Sequence, residues 1–215
     1  MIDLHTHTLL SDGELLPSEL ARRAETKGYR YLGLTDHVDA SNLDLVIPRL
    51  VQVAKELNHY TKVRVIPGAE LTHVPPSAIA AMILAARRLG AAYIVVHGET
   101  PVEPVEPGTN RAAIEGGADI LAHPGQIKLE DVELAKIKGV LLEITTRRGH
   151  SLTNGHVARL ARRCGAALIL NTDTHAPADL VDLTFARQVA LGAGLADEDF
   201  EKMRAAAENL VLRVL

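Results

Sequence analysis

Residues able to hold metal ions recur at the ends of seven short apolar runs: His5 with His7, His37, Glu70, His97, His123, Glu143, and Asp173 with His175. In an extended segment residues two apart share a face, so His5 and His7 can reach one ion from a single strand. Asp173-Thr174-His175 repeats that geometry with one carboxylate and one imidazole. Glu70 offers two oxygens, enough to bridge a pair of cations, and Asp36 stands beside His37 where a carboxylate orients a ligand. Gathered imidazoles repel once protonated and need partners once buried, and cations answer both demands. Such a set suits Zn, Mn or Fe better than Mg or Ca, which favour oxygen shells. Two cations sharing Glu70 would lower the pKa of a water between them and present a bridging hydroxide to phosphorus. The expected chemistry is metal-assisted hydrolysis of a phosphate ester, with Glu70, Asp173 and His175 nearest to it.

Something must bring those side chains together. Runs rich in Val, Ile and Leu alternate with segments of helical period, the pattern of βα units on a buried parallel sheet. Strands are expected at Ile2 to His5, Tyr31 to Thr35, Val63 to Gly68, Ala92 to His97, Asp119 to Ala122, Val140 to Ile144 and Ala167 to Asn171. In a parallel barrel the ends of all seven fall on one rim. Helices are expected from Pro17 to Gly28, Ser77 to Gly90, Thr153 to Gly165, Leu183 to Gly192 and Asp197 to Ala207, with another closing at Gly139. Pro48 reads as a first helical turn, with Leu50, Val51, Ala54 and Leu57 facing inward.

Several residues carry a functional and a bland reading side by side. Arg147 and Arg148 follow the sixth strand and are candidates to grip a terminal phosphate; alternation of faces lets one point inward, and a solvated basic turn is the other outcome. Lys128 is a further phosphate candidate, and Glu143 either contacts substrate or hydrogen-bonds a ligand histidine. The loop from Gly98 to Asn110 holds Pro101, Pro104 and Pro107, so it is stiff, and it either shapes access to the site or simply connects to a helix capped by Thr109. His59, His73, His150 and His156 fall outside the pattern and are expected as surface or hydrogen-bonded histidines.

The bounds agree with one enzyme domain spanning 1–215. The chain is 47% hydrophobic, ample for a core, and its lone Cys164 permits no internal disulfide. No basic leader precedes His5, and no apolar run approaches the ~20 residues of a membrane span, so a cytoplasmic protein without membrane partners is expected. A net charge of -4 and a content of two Phe, four Tyr and no Trp disfavour extended nucleic-acid binding. Oligomeric state is left open.

His5-Thr6-His7, Ser11-Asp12-Gly13, Thr35-Asp36-His37, Glu70, Val96-His97-Gly98, Ala122-His123-Pro124 and Thr172-Asp173-Thr174-His175 together resemble the PHP (polymerase and histidinol phosphatase) family over nearly the whole chain. That resemblance implies a distorted TIM-like (β/α)7 barrel of α/β class holding three divalent transition-metal ions. Carried onto this sequence, His5, His7, Glu70 and Asp173 would hold one ion, Glu70, His97 and His123 a second, and Asp12, His37 and His175 the third. Some relatives have histidine where Asp12 stands. The third ion would bind a non-bridging phosphoryl oxygen. A small phosphomonoester, as in a histidinol phosphatase, is the expected substrate, with an exonuclease or oligonucleotide phosphodiesterase as the alternative. An amidohydrolase ranks lower, because its relatives carry lysine where His97 stands, and a non-catalytic scaffold ranks lower because no ligand is missing.

Overall fold

A computed structural model describes residues 1–215. All its strands pair in parallel: β1 (Ile2–Asp3), β2 (Tyr31–Leu34), β3 (His37–Val38), β4 (Arg64–Pro67), β5 (Ala69–Leu71), β6 (Ile94–His97), β7 (Ile120–Ala122), β8 (Leu141–Thr145) and β9 (Leu168–Asn171). The seven apolar runs become nine strands because two of them break. β2 and β3 are one stave interrupted at Thr35-Asp36, and β4 and β5 are one stave interrupted at Gly68. The lower halves join β1 in a sheet ordered β1-β2-β4, while the upper halves enter a second sheet ordered β3-β5-β6-β7-β8-β9. A parallel bridge between Thr6 and Thr174, with the His7 N–H donating to the Thr174 carbonyl at 2.8 Å, ties the first stave to the last. The result is a distorted TIM-like barrel whose strand ends share one mouth.

The first break is set by contacts with the first stave. At the first, the Thr35 N–H turns to the Thr6 carbonyl at 2.9 Å, and the Asp36 side chain turns to Thr8. Inside the barrel, Tyr93 is fully buried and donates its hydroxyl to the Leu4 carbonyl at 3.0 Å. A Cβ on Gly33 would stand 1.8 Å from that hydroxyl oxygen, so the close approach of ring and strand requires glycine there.

Helices cover the outside: α1 (Pro17–Thr26), α2 (Leu43–Leu57), α3 (Pro76–Arg88), α4 (Thr109–Gly116), α5 (Leu129–Lys138), α6 (Asn154–Cys164), α7 (Leu183–Gly192) and α8 (Asp197–Val214). Leu20, Ala21 and Ala24 of α1 and Val46, Ile47, Leu50 and Ala54 of α2 supply buried faces, each large side chain worth about 1.5–3 kcal/mol. Pro48 sits inside α2 and not in its first turn. The face carrying Ile47 and Leu50 is fully buried, and that burial outweighs the missing N–H. Thr109 is the first residue of α4 and not its cap; its hydroxyl donates back to the Glu106 carbonyl at 2.6 Å. α8 runs past Ala207, where the sequence pattern ends, because Leu210 and Val211 plug the barrel floor against Leu4, Ile66 and Ile169. No helix is long and apolar enough to cross a membrane.

Candidate metal centre

All nine residues expected as ligands converge at the mouth. His5 Nε2 lies 3.2 Å from Glu70 Oε1 and 3.6 Å from Asp173 Oδ1. His7 Nε2 lies 3.2 Å from Asp173 Oδ1 and 3.6 Å from Glu70 Oε2. His123 Nε2 reaches Glu70 Oε1 at 3.9 Å and Asp173 Oδ2 at 3.7 Å, and its ring meets that of His97 edge-on at 4.5 Å between centroids. On the far side Asp12 Oδ1 stands 3.4 Å from His37 Nε2 and 3.2 Å from His175 Nε2. Donor atoms lie within 4.8 Å of one another in four groups: His7, Asp12, His37 and His175; His5, His123 and Asp173; His5, His7 and Glu70; and Glu70, His97 and His123. His7 therefore also borders the Asp12 group, and His123 also borders Asp173.

Local structure sets these positions. Asp36 accepts from the Thr8 N–H at 2.8 Å, the Thr8 hydroxyl at 3.0 Å and the Ser11 hydroxyl at 2.7 Å, pinning the loop that carries Asp12. In that loop a Cβ on Gly13 would meet the His7 carbonyl oxygen at 2.4 Å. Asp3 accepts from the hydroxyl and N–H of Thr172 and so anchors the segment before Asp173. Asp173 and His123 have φ of 53° and 26°, a left-handed backbone that costs non-glycine residues about 1–3 kcal/mol and is found where function holds it.

The electrostatics separate acids and imidazoles. Burial opposes charge on Glu70, yet His5 and His37 hold its carboxyl well below the usual range; burial likewise opposes charge on Asp173, and His5 and His7 hold it down. Against burial, Glu143, Glu70 and Asp173 keep His5 well above an ordinary histidine, while Glu70 and Asp12 raise His37 to about 10. Burial and the neighbouring His37 push His7 down to about 3, and burial with His97 depresses His123.

Unpartnered buried atoms test whether ions fit. His5 Nε2, both ring nitrogens of His7, Glu70 Oε1, His97 Nδ1, His123 Nδ1 and Glu143 Oε1 are buried without a hydrogen-bond partner. Leaving a buried polar group unpaired costs about 1–3 kcal/mol, and all of these atoms cluster at one place. Divalent cations would satisfy those of His5, His7, Glu70, His97 and His123, all members of the donor groups, so the site fits metal.

The remaining candidates separate. Glu143 is fully buried and bonds His5 Nδ1 at 2.8 Å, taking the histidine-orienting alternative; Asn171, which the sequence reading passed over, donates to the same carboxylate at 2.9 Å. Arg147 is the inward member of its pair, with Nη1 2.9 Å from Asp179 and Nε 3.9 Å from Asp173. Arg148 is exposed and makes no ion pair, because the chain turns at Gly149 immediately after it. Lys128 is exposed and pairs with none of the expected ligands: it precedes α5, after the turn at Gly125, and lines a depression with Glu99 and Glu130. His59 is exposed, and His156 bonds the Ile127 carbonyl at 2.8 Å. His150 is hydrogen-bonded as expected, to Thr100 at 2.7 Å, but it is buried at the mouth, where its ring stacks 4.2 Å from that of His123. Glu103 is a further mouth residue that sequence reasoning missed, 3.0 Å from His97 Nε2. An acid between the prolines of a loop next to His97 was the only signal, and it matches no motif.

Comparison with known proteins extends this picture. An uncharacterized protein of Methanocaldococcus jannaschii is 51% identical over 201 residues, covering 93% of this chain and 92% of that one. The DNA polymerase/3'-5' exonuclease PolX of Bacillus subtilis is 28% identical over 193 residues, 80% of this chain and 34% of its own length. Among solved structures, a chain of archaeal ribonuclease P with mature tRNA has a TM-score of 0.73 at 15% identity, covering 98% of this chain and 90% of that one. The histidinol phosphate phosphatase HisK of Lactococcus lactis, complexed with zinc, L-histidinol and phosphate, has a TM-score of 0.64 at 18% identity, covering 91% of this chain and 94% of that one. The PHP domain model matches residues 3–147, ending before Asp173 and His175, and the chain belongs to the PHP domain family.

Proposed function

We propose that this chain is a metal-dependent phosphoester hydrolase acting on a small phosphomonoester. The orphaned donor atoms of His5, His7, Glu70, His97 and His123, buried around one mouth, carry this reading. Divalent transition ions bound there would supply Lewis acidity and lower the pKa of water at the site toward neutrality. His5, His7, Glu70 and Asp173 would hold the first ion, Glu70, His97 and His123 the second, and Asp12, His37 and His175 the third. Glu143 fixes the His5 ring through Nδ1, which leaves Nε2 turned to the seat. Arg147, braced by Asp179, offers a guanidinium beside Asp173 where the charge of a terminal phosphate would lie. The histidinol phosphatase likeness and the scarcity of aromatic side chains for base stacking support a small substrate. The likeness to an exonuclease supports oligonucleotide ends as a second reading.

The deciding experiment reconstitutes the protein with Zn, Mn or Fe and screens phosphomonoesters, histidinol phosphate and dinucleotides. Faster phosphate release from the monoesters is expected. Faster cleavage of the dinucleotides would give the site to the second reading.

A further inference from the structure

Glu103 stands on the loop between β6 and α4, and its carboxylate meets imidazoles from three parts of the mouth. His97 Nε2 is 3.0 Å away, His150 Nε2 3.4 Å and His73 Nε2 3.6 Å. The loop is braced on itself: Glu99 accepts the N–H groups of Gly108 and Asn110, both at 2.9 Å, and the Asn110 side chain accepts the Glu99 N–H at 3.0 Å. Thr100 meets His150 Nδ1 at 2.7 Å, so loop and β8 side are joined. Pro101 and Pro104 flank Glu103 and narrow its backbone further. The Glu103 side chain is nevertheless 37% exposed, and no lysine or arginine pairs with it. Arg147 stands instead beside Asp173, and it is the one arginine that pairs with a ligand carboxylate. The mouth therefore holds a guanidinium beside Asp173 and Asp179 and, apart from the proposed ligands, a carboxylate that reaches across His73, His97 and His150.

A phosphomonoester entering this mouth would turn its phosphoryl group to the ion seats and Arg147, leaving the rest of the molecule toward Glu103. Resting on the phosphomonoester reading, we propose that Glu103 determines which leaving groups are accepted: those presenting an ammonium or hydroxyl are admitted, and those carrying a second phosphate are rejected. Like charges brought together in a confined site discriminate strongly, whereas a carboxylate accepts from an ammonium or hydroxyl at no such cost. Glu103 is thus a specificity residue, distinct from the nine ligand positions.

The test uses the metal-loaded protein and three matched substrates: 4-aminobutyl phosphate, 4-hydroxybutyl phosphate and butane-1,4-diyl bisphosphate. Calorimetric Kd values for the corresponding phosphonates give a readout independent of turnover. The unaltered protein is expected to rank ammonium over hydroxyl over phosphate, with roughly 10-fold or more between the extremes. In Glu103→Gln, which keeps an acceptor for His97 but removes the charge, the spread should fall to within about threefold, and Glu103→Lys should invert it. Each ranking is a ratio within one protein, so partial metal loss cancels. An unchanged ranking in Glu103→Gln and Glu103→Lys, with the monoesters still hydrolysed, overturns the role of Glu103 alone. Failure of the unaltered protein to bind or hydrolyse any of the three overturns the phosphomonoester reading and this inference with it.

Discussion

Two kinds of buried acid lie a few residues apart in this barrel. Asp3 and Asp36, below the mouth, are satisfied by N–H and hydroxyl donors from His5, Thr172, Thr8 and Ser11. Burial pushes Asp3 up to about 6 and also raises Asp36, against the pull of those hydrogen bonds. Glu70 and Asp173, at the mouth, are equally buried but held down by facing imidazoles, and Glu70 Oε1 faces His5 without making a hydrogen bond. In the proposed reading the first pair act as struts and the second as seats for cations. A strut has its donors supplied by the fold, whereas a seat is left to be completed by cations.

Removing a seat should have the largest effect. Glu70→Ala takes away the carboxylate shared by two donor groups and is expected to lower hydrolysis by about 100-fold or more, with loss of bound metal by elemental analysis. Near-normal turnover would erase the distinction between the two kinds of acid.

Acidity should come next. Without metal, the Glu70 contribution to stability is present above its ordinary 4.5 and is lost as pH falls further, because its folded pKa is depressed. The His37 contribution is complete below 6.5 and is lost as pH rises through about 10, because its folded pKa is raised. Melting temperatures of chelator-treated protein should therefore decline on the alkaline side. Metal-loaded protein should instead gain stability as pH rises past neutrality, since ions displace the histidine protons. Parallel curves for the two forms would show that protons and metals do not compete for these side chains.

The smallest effect belongs to a strut. Asp36→Ala strands the Thr8 and Ser11 donors and is expected to cost about 2 kcal/mol, a Tm drop of roughly 4–8 °C, with a weaker hold on the ion beside Asp12. A loss of all bound metal in that variant would make Asp36 a seat after all.

Much of this was legible before folding. The βα alternation and the ligand at each strand end follow from apolar periodicity and residue type, which are local properties. That same locality hid the breaks at Thr35-Asp36 and Gly68, because a stave divides only where neighbouring strands and Tyr93 compete for space. It also left Arg147 and Arg148 equivalent, since which one faces inward depends on the distant Asp179.

By itself, then, the sequence determined the fold class and the donor set, since a pattern of His, Asp and Glu after apolar runs carries its own chemistry. Tertiary structure alone decided the orientation of the imidazoles, the split between strut and seat, and the placing of Glu103 over His97 and His150. These depend on contacts between residues far apart in the chain, and no local spacing encodes them.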